Sequence, residues 1–229
     1  MIDFIEPPKP VQLKDIPDLK ALIPTTFLDT QQAVESLKTY IQMIESAKLQ
    51  QVACDLIRFD WDAFKSIPAA TSMHHAYVGG LITHTLGVIK AALKIASLYP
   101  DNEEVNQDLL IVGAIAHDVT KTIEYEIDEF GLAPKFSIDG NLLGHPYMSA
   151  RLVDQCCQDH EVDNELSIHL QHMVLSHHGK LEHGSPVTPK TLEAEILHLA
   201  DDTDSRLEMF RKQLEDQEKG TLSETKVFV

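Results

Sequence analysis

At 229 residues, 43% of them hydrophobic and 24% charged, the chain has the size and composition of one globular domain able to bury its own core. Nineteen Lys and Arg stand against 36 Asp and Glu, a formal net charge of −17; such a surface repels a polyanion and disfavours a large nucleic-acid groove, but not a small phosphorylated substrate held at a local cation. There is no long apolar run and no basic, apolar leader, and Cys54, Cys156 and Cys157 form no spaced framework, so the expectation is a cytoplasmic protein with reduced thiols and no membrane span.

Residues 1–28 hold five of the eleven prolines and no sustained period, which predicts an extended N-terminal arm. At Asp29 the pattern changes: Asp29 is a capping residue, Gln32 sits three positions on, and Val34, Leu37, Ile41 and Ile44 recur at helical spacing. Further helices are predicted at 48–58, 60–66, 77–99, 104–118, 145–160, 163–178 and 190–216. Only "TIEYEIDEFGLAPKFSID", residues 122–139, alternates with period two, around Gly131, and predicts a small β-hairpin. Residues 218–229 are polar and read as a frayed tail. The expected fold is therefore all-α, one helical domain over 29–217 with a small β-hairpin insertion.

Twelve histidines are many for this length, and seven of them fall in four short stretches: "MHHAYVGGLITHT" with His74, His75 and His84, "AHD" with His117, "GHP" with His145, and "SHHGK" with His177 and His178. Adding Asp118 and the later "LHLADDTD" gives the order His84, His117 with Asp118, His145, His177 or His178, and Asp201. Imidazoles and carboxylates are ligands for Mn, Fe, Zn or Mg, and one carboxylate between two ions can bridge them. Burying several histidines and two aspartates without a cation would leave unpaired charge at a cost of about several kcal/mol per group, which a shared metal removes. His160, His169, His172, His183 and His198 read as structural.

That order of residues on a helical chain resembles the HD superfamily of metal-dependent phosphohydrolases, whose adjacent pair is present in "AIAHDVTK". The stretches "FKSIPAATSMHHAYVGGLITHTLGVIKAALKIASLYP", "LLIVGAIAHDVTKTIEY", "GNLLGHPYMSARLV" and "LSHHGKLEHGSPVTPKTLEAEILHLADDTDSR" resemble, in order and spacing, the HD domain of YhaM-type 3′-to-5′ exoribonucleases. The likeness runs from about residue 15 to residue 210. Those enzymes carry an OB-type module ahead of the HD domain, and the expectation is that this chain lacks one. Thr83 stands where the family usually has Glu, and Thr120 replaces the usual Gly between Asp118 and Lys121; neither change removes a ligand.

The resemblance implies an HD-domain helical bundle with His84, His117, Asp118 and Asp201 as ligands of one divalent ion and His145 and His177 of a second, Asp118 bridging and His178 an additional ligand or a phosphate contact. It implies Asp118 and Lys121 as catalytic residues, with Lys121 meeting a substrate phosphate oxygen and His75 and Lys180 as weaker candidates for that task. The chemistry expected is hydrolysis of a phosphomonoester or phosphodiester, in a nucleotide or short oligonucleotide, by a metal-activated water, with no protein nucleophile. The competing readings are an HD-type di-iron oxygenase and a non-catalytic nucleotide-binding regulatory module. None of these motifs specifies the metal or the oligomeric state.

Overall fold

Side-chain caps start the helices close to where the sequence places them. Asp29 accepts a hydrogen bond from the Gln31 amide at 3.0 Å and opens α1 (Thr30–Gln42), while Ser46 caps α2 (Ala47–Arg58), with the short α3 (Trp61–Phe64) after it. Asn106 caps α5 (Gln107–Ala116) through the Leu109 amide. Between them, α4 (Gly80–Ala96) begins three residues later than its periodicity suggests, because Gly79 takes a left-handed backbone with φ 78°. The computed structural model describes residues 29–71, 75–98, 105–128, 131–133 and 135–215; the expected arm at 1–28, His74 and the tail at 218–229 lie outside these.

After α5 the chain makes one helical turn, α6 (Lys121–Glu124), then the strands β1 (Tyr125–Glu126) and β2 (Lys135–Phe136), and a second short helix, α7 (Ile138–Leu142). The period-two stretch thus forms an antiparallel ladder only two residue pairs long, Tyr125 with Phe136 and Glu126 with Lys135. Its flanks are helical turns, since Ser137 caps α7 and the Thr120 carbonyl accepts from the amides of Ile123 and Glu124. The rest is α8 (His145–Asp159), α9 (Asn164–Ser176), one 3₁₀ turn at Leu181–His183 and α10 (Leu192–Glu215). The architecture is all-α with a small hairpin, as expected.

Burial explains the arrangement. Every residue from Leu109 to Ala116 is buried, so α5 beyond its first two residues has no solvent face and takes the centre of the bundle, packed by α2, α4, α8, α9 and α10. The amphipathic α1 and α2 cover it with Ala33, Leu37, Leu49, Val52 and Leu56. A helix surrounded in this way ends in the middle of the molecule, and the two residues next in the chain, His117 and Asp118, are delivered there. Among the described residues no helix is long and apolar enough to cross a membrane.

Candidate metal centre

Four helices bring polar side chains to the inner end of α5. His84 comes from α4, His145 is the first residue of α8 behind Gly144, His177 and His178 come directly after the end of α9, and Asp201 comes from α10. His84, His117, Asp118, His145 and His177 are all buried, and Asp201 is 17% exposed at its side chain. Asp118 lies between two sets of nitrogens. Its Oδ2 is 3.4 Å from His117 Nε2 and 3.5 Å from His84 Nε2, and His84 Nε2 is also 3.2 Å from Asp201 Oδ1. Its Oδ1 is 3.2 Å from His145 Nε2 and 3.9 Å from His177 Nε2, with the His178 ring centred 4.1 Å from that of His177.

The opposite ring nitrogens are all occupied. His117 Nδ1 donates to the Ala114 carbonyl, His177 Nδ1 to the Val174 carbonyl, His145 Nδ1 to Glu124 and His84 Nδ1 to Asp204. Each bond fixes the ring with its Nε2 atom aimed at the cluster. Among the described residues five buried side-chain polar atoms have no hydrogen-bond partner, and four belong here: Asp118 Oδ1, His145 Nε2, His177 Nε2 and His178 Nδ1. Buried polar atoms are normally bonded, so a convergent unsatisfied set of N and O donors fits a divalent cation. Two triads of this cluster, with no residue in common, each have ligand atoms within 4.8 Å of one another: His84 with His117 and Asp118, and His145 with His177 and His178.

The electrostatics agree. Burial opposes the charge on Asp118, but the Lys121 ammonium, 2.8 Å from Oδ2, and the neighbouring His117 hold its carboxyl well below the usual range. Asp201 is lowered as well: burial opposes its charge, but bonding to His84 outweighs that. Burial likewise disfavours a charged His84, yet the carboxylates of Asp201 and Asp204 outweigh it and push the ring up to about 10. Burial, then the neighbouring His178, lowers His177, and burial lowers His178 to about 4, so both rings are neutral at pH 7.

The remaining candidates are placed differently from one another. Lys121 is buried on the floor of the site, its charge kept by Asp118. Lys180 is 64% exposed at the mouth, 3.7 Å from Glu182, and with His178, His183, His198, Asp201 and Arg206 borders a cavity of about 230 Å³. His75, expected near a substrate phosphate, instead lies behind His84, its nitrogens bonded to Tyr77 and Asp204. Its direction comes from a left-handed backbone, φ 47°, that helical periodicity does not signal. Two carboxylates escaped the sequence reading: Glu124, hidden in the period-two stretch, and Asp204, whose signal is its three-residue spacing from Asp201. A larger cavity of about 450 Å³ between Phe59, α6, α7 and α8 shares no lining residue with the cluster.

Residues 81–206 match the HD domain family. The chain belongs to the HD-domain family. It is 32% identical over 216 residues to the 3′-5′ exoribonuclease YhaM of Bacillus subtilis, covering 94% of this chain and 67% of that protein. The YhaM proteins of Shouchella clausii and Listeria monocytogenes are each 34% identical, with 93% of this chain matched to 63% and 68% of theirs. The chain thus spans about two thirds of the length of these relatives. No solved structure matches it. HD membership and these relatives make the chain a metal-dependent hydrolase.

Proposed function

We propose that this HD domain is a two-metal phosphohydrolase acting on a phosphodiester or phosphomonoester of a nucleotide or short oligonucleotide. The observation that carries this reading is the convergence of Asp118 Oδ1, His145 Nε2, His177 Nε2 and His178 Nδ1, buried and without hydrogen-bond partners. His84, His117, Asp118 and Asp201 would hold one cation and His145 and His177, with His178 beside them, the other, Asp118 lying between the two sets. When bound, the ions polarise the phosphoryl oxygens and bring the pKa of water toward neutrality.

The chain's own groups do the rest. Lys121 commits one of its three N–H donors to Asp118, and the others serve a non-bridging phosphate oxygen, where a fixed positive charge favours the transition state. Lys180 at the mouth attracts the substrate's charge against the acidic surface. The mouth, at about 230 Å³, lies below the ~300 Å³ at which drug-sized pockets begin, which suits a chain end or a single nucleotide rather than a duplex. Thr120 has a role of its own: its hydroxyl bonds the His145 carbonyl at 3.2 Å and Ser149 at 2.8 Å, fixing the start of α8 to the turn after Asp118.

Elemental analysis of chain purified without chelator, together with Mn²⁺-dependent hydrolysis of bis(p-nitrophenyl) phosphate, tests the reading. The expected result is about two metals per chain and release of nitrophenolate, with metal lost in His145→Ala and His177→Ala. Unchanged metal content in those variants removes the second site. Two irons without hydrolysis favours an oxygenase instead, and mononucleotides tested against short RNAs with free or blocked 3′ ends define the substrate.

A further inference from the structure

Asp204 lies one turn beyond Asp201 on α10, yet its carboxylate turns away from the convergent donor atoms. Its Oδ2 accepts from His84 Nδ1 at 2.8 Å and from His75 Nε2 at 2.8 Å, and His75 Nδ1 is 2.7 Å from the Tyr77 hydroxyl. The carboxylate reaches His84 only because α4 carries glycine one turn beyond that histidine. A Cβ at Gly87 would stand 1.9 Å from Asp204 Oδ1 and 2.6 Å from its Cγ, so nothing larger than hydrogen fits there.

We propose that Asp204 is the positioning residue for His84 and that Gly87 is the opening in α4 that admits it. Resting on the metal reading above, the inference concerns how one ligand is made ready. Tied by Nδ1, the His84 ring cannot rotate, and its Nε2 stays directed at Asp118, His117 and Asp201. Glu124 does the same for His145, while His117 and His177 use backbone carbonyls. A carboxylate partner also makes the ring a stronger donor than a carbonyl does. His75, His84 and Asp204 also lie close together, but there the two rings hydrogen-bond the Asp204 carboxylate at 2.8 Å each, and none of these bonded atoms is among the buried ones without a partner, so nothing there calls for a third ion.

Mn²⁺ titration of the full chain, stripped of metal and monitored by calorimetry, separates the possibilities when wild type is run beside His84→Ala, Asp204→Asn and Gly87→Ala. The step abolished by His84→Ala is expected to weaken roughly 10- to 100-fold in both Asp204→Asn and Gly87→Ala, with the other step unmoved. Gly87→Ala is the sharper probe: it removes no charge and no ligand, and alanine is the better helix former, so weakened binding cannot come from a weakened helix. Should that variant not fold, the nearly isosteric Asp204→Asn carries the test alone. Wild-type affinity in the folded variants overturns the inference and leaves the metal centre standing. A wild-type chain that binds no Mn²⁺ overturns both.

Discussion

His84 shows how single side chains prepare the site for a cation. With its ring pushed up to about 10 by Asp201 and Asp204 against the opposing effect of burial, it carries a proton at pH 7 in the metal-free chain. That proton must leave before Nε2 can bind, so Mn²⁺ uptake at pH 7 is expected to release about one proton per chain from this group, read by calorimetry in buffers of different ionisation enthalpy. The same shift makes metal-free stability pH-dependent. A raised histidine contributes fully below its unfolded value of 6.5, and the contribution is lost as pH rises toward about 10. His178, lowered to about 4 by burial, acts in the opposite sense and costs stability as pH falls from 6.5 toward 4. The thermal midpoint of metal-free protein is therefore expected to be highest near pH 6.5 and to decline on both sides; a midpoint still rising from pH 7 to 9 would contradict the His84 assignment.

The elements differ in how much of the site they carry. α5 supplies its depth, because a helix buried on all sides ends in the interior, and its last turn gives the Ala114 carbonyl that holds His117. α10 supplies a wall, with His198, Asp201 and Asp204 all turned toward its neighbours. The turn after α9 joins the two. Gly179 has φ 76°, a Cβ there would lie 2.3 Å from the His198 ring, and that ring donates to the His177 carbonyl at 2.8 Å. Gly179→Ala is therefore expected to cost roughly 1–3 kcal/mol through the left-handed backbone, and more as His198 is displaced. Urea denaturation gives the number, and a neutral result would mean that the turn relaxes without strain. The hairpin shows the reverse case, where local pattern overstated structure: it has two residue pairs and little buried surface, and the residue of that stretch that reaches His145, Glu124, lies in the helical turn before it.

At the scale of the whole molecule, charge governs what can approach. A net charge of −17 surrounds a cleft whose own cations are Lys121, buried, and Lys180 and Arg206 at the mouth, Arg206 being paired with Asp202. A basic groove would release counterions and give a slope near −0.7 per phosphate contacted in a log–log plot of single-strand affinity against salt. This surface is expected to give a much shallower slope for a short oligonucleotide between about 50 and 200 mM salt, seen in KM at fixed Mn²⁺. A steep slope would reveal a cationic track that the described residues do not form.

The sequence alone carried the fold class and the roster of donors, because helical periodicity and capping are local and because histidines gathered around an adjacent His and Asp are rare without a reason. It also placed His117 and Asp118 in the core, since an all-apolar helix has nowhere else to end. Only the packed molecule decided which nitrogen of each ring faces inward, that His75 is bonded to Asp204, and that Glu124 and Asp204 bond the rings of His145 and His84. Those facts depend on contacts between residues 21 to 129 positions apart, set by how α4, α8 and α10 close around α5. Orientation across such separations belongs to packing, which no local pattern encodes.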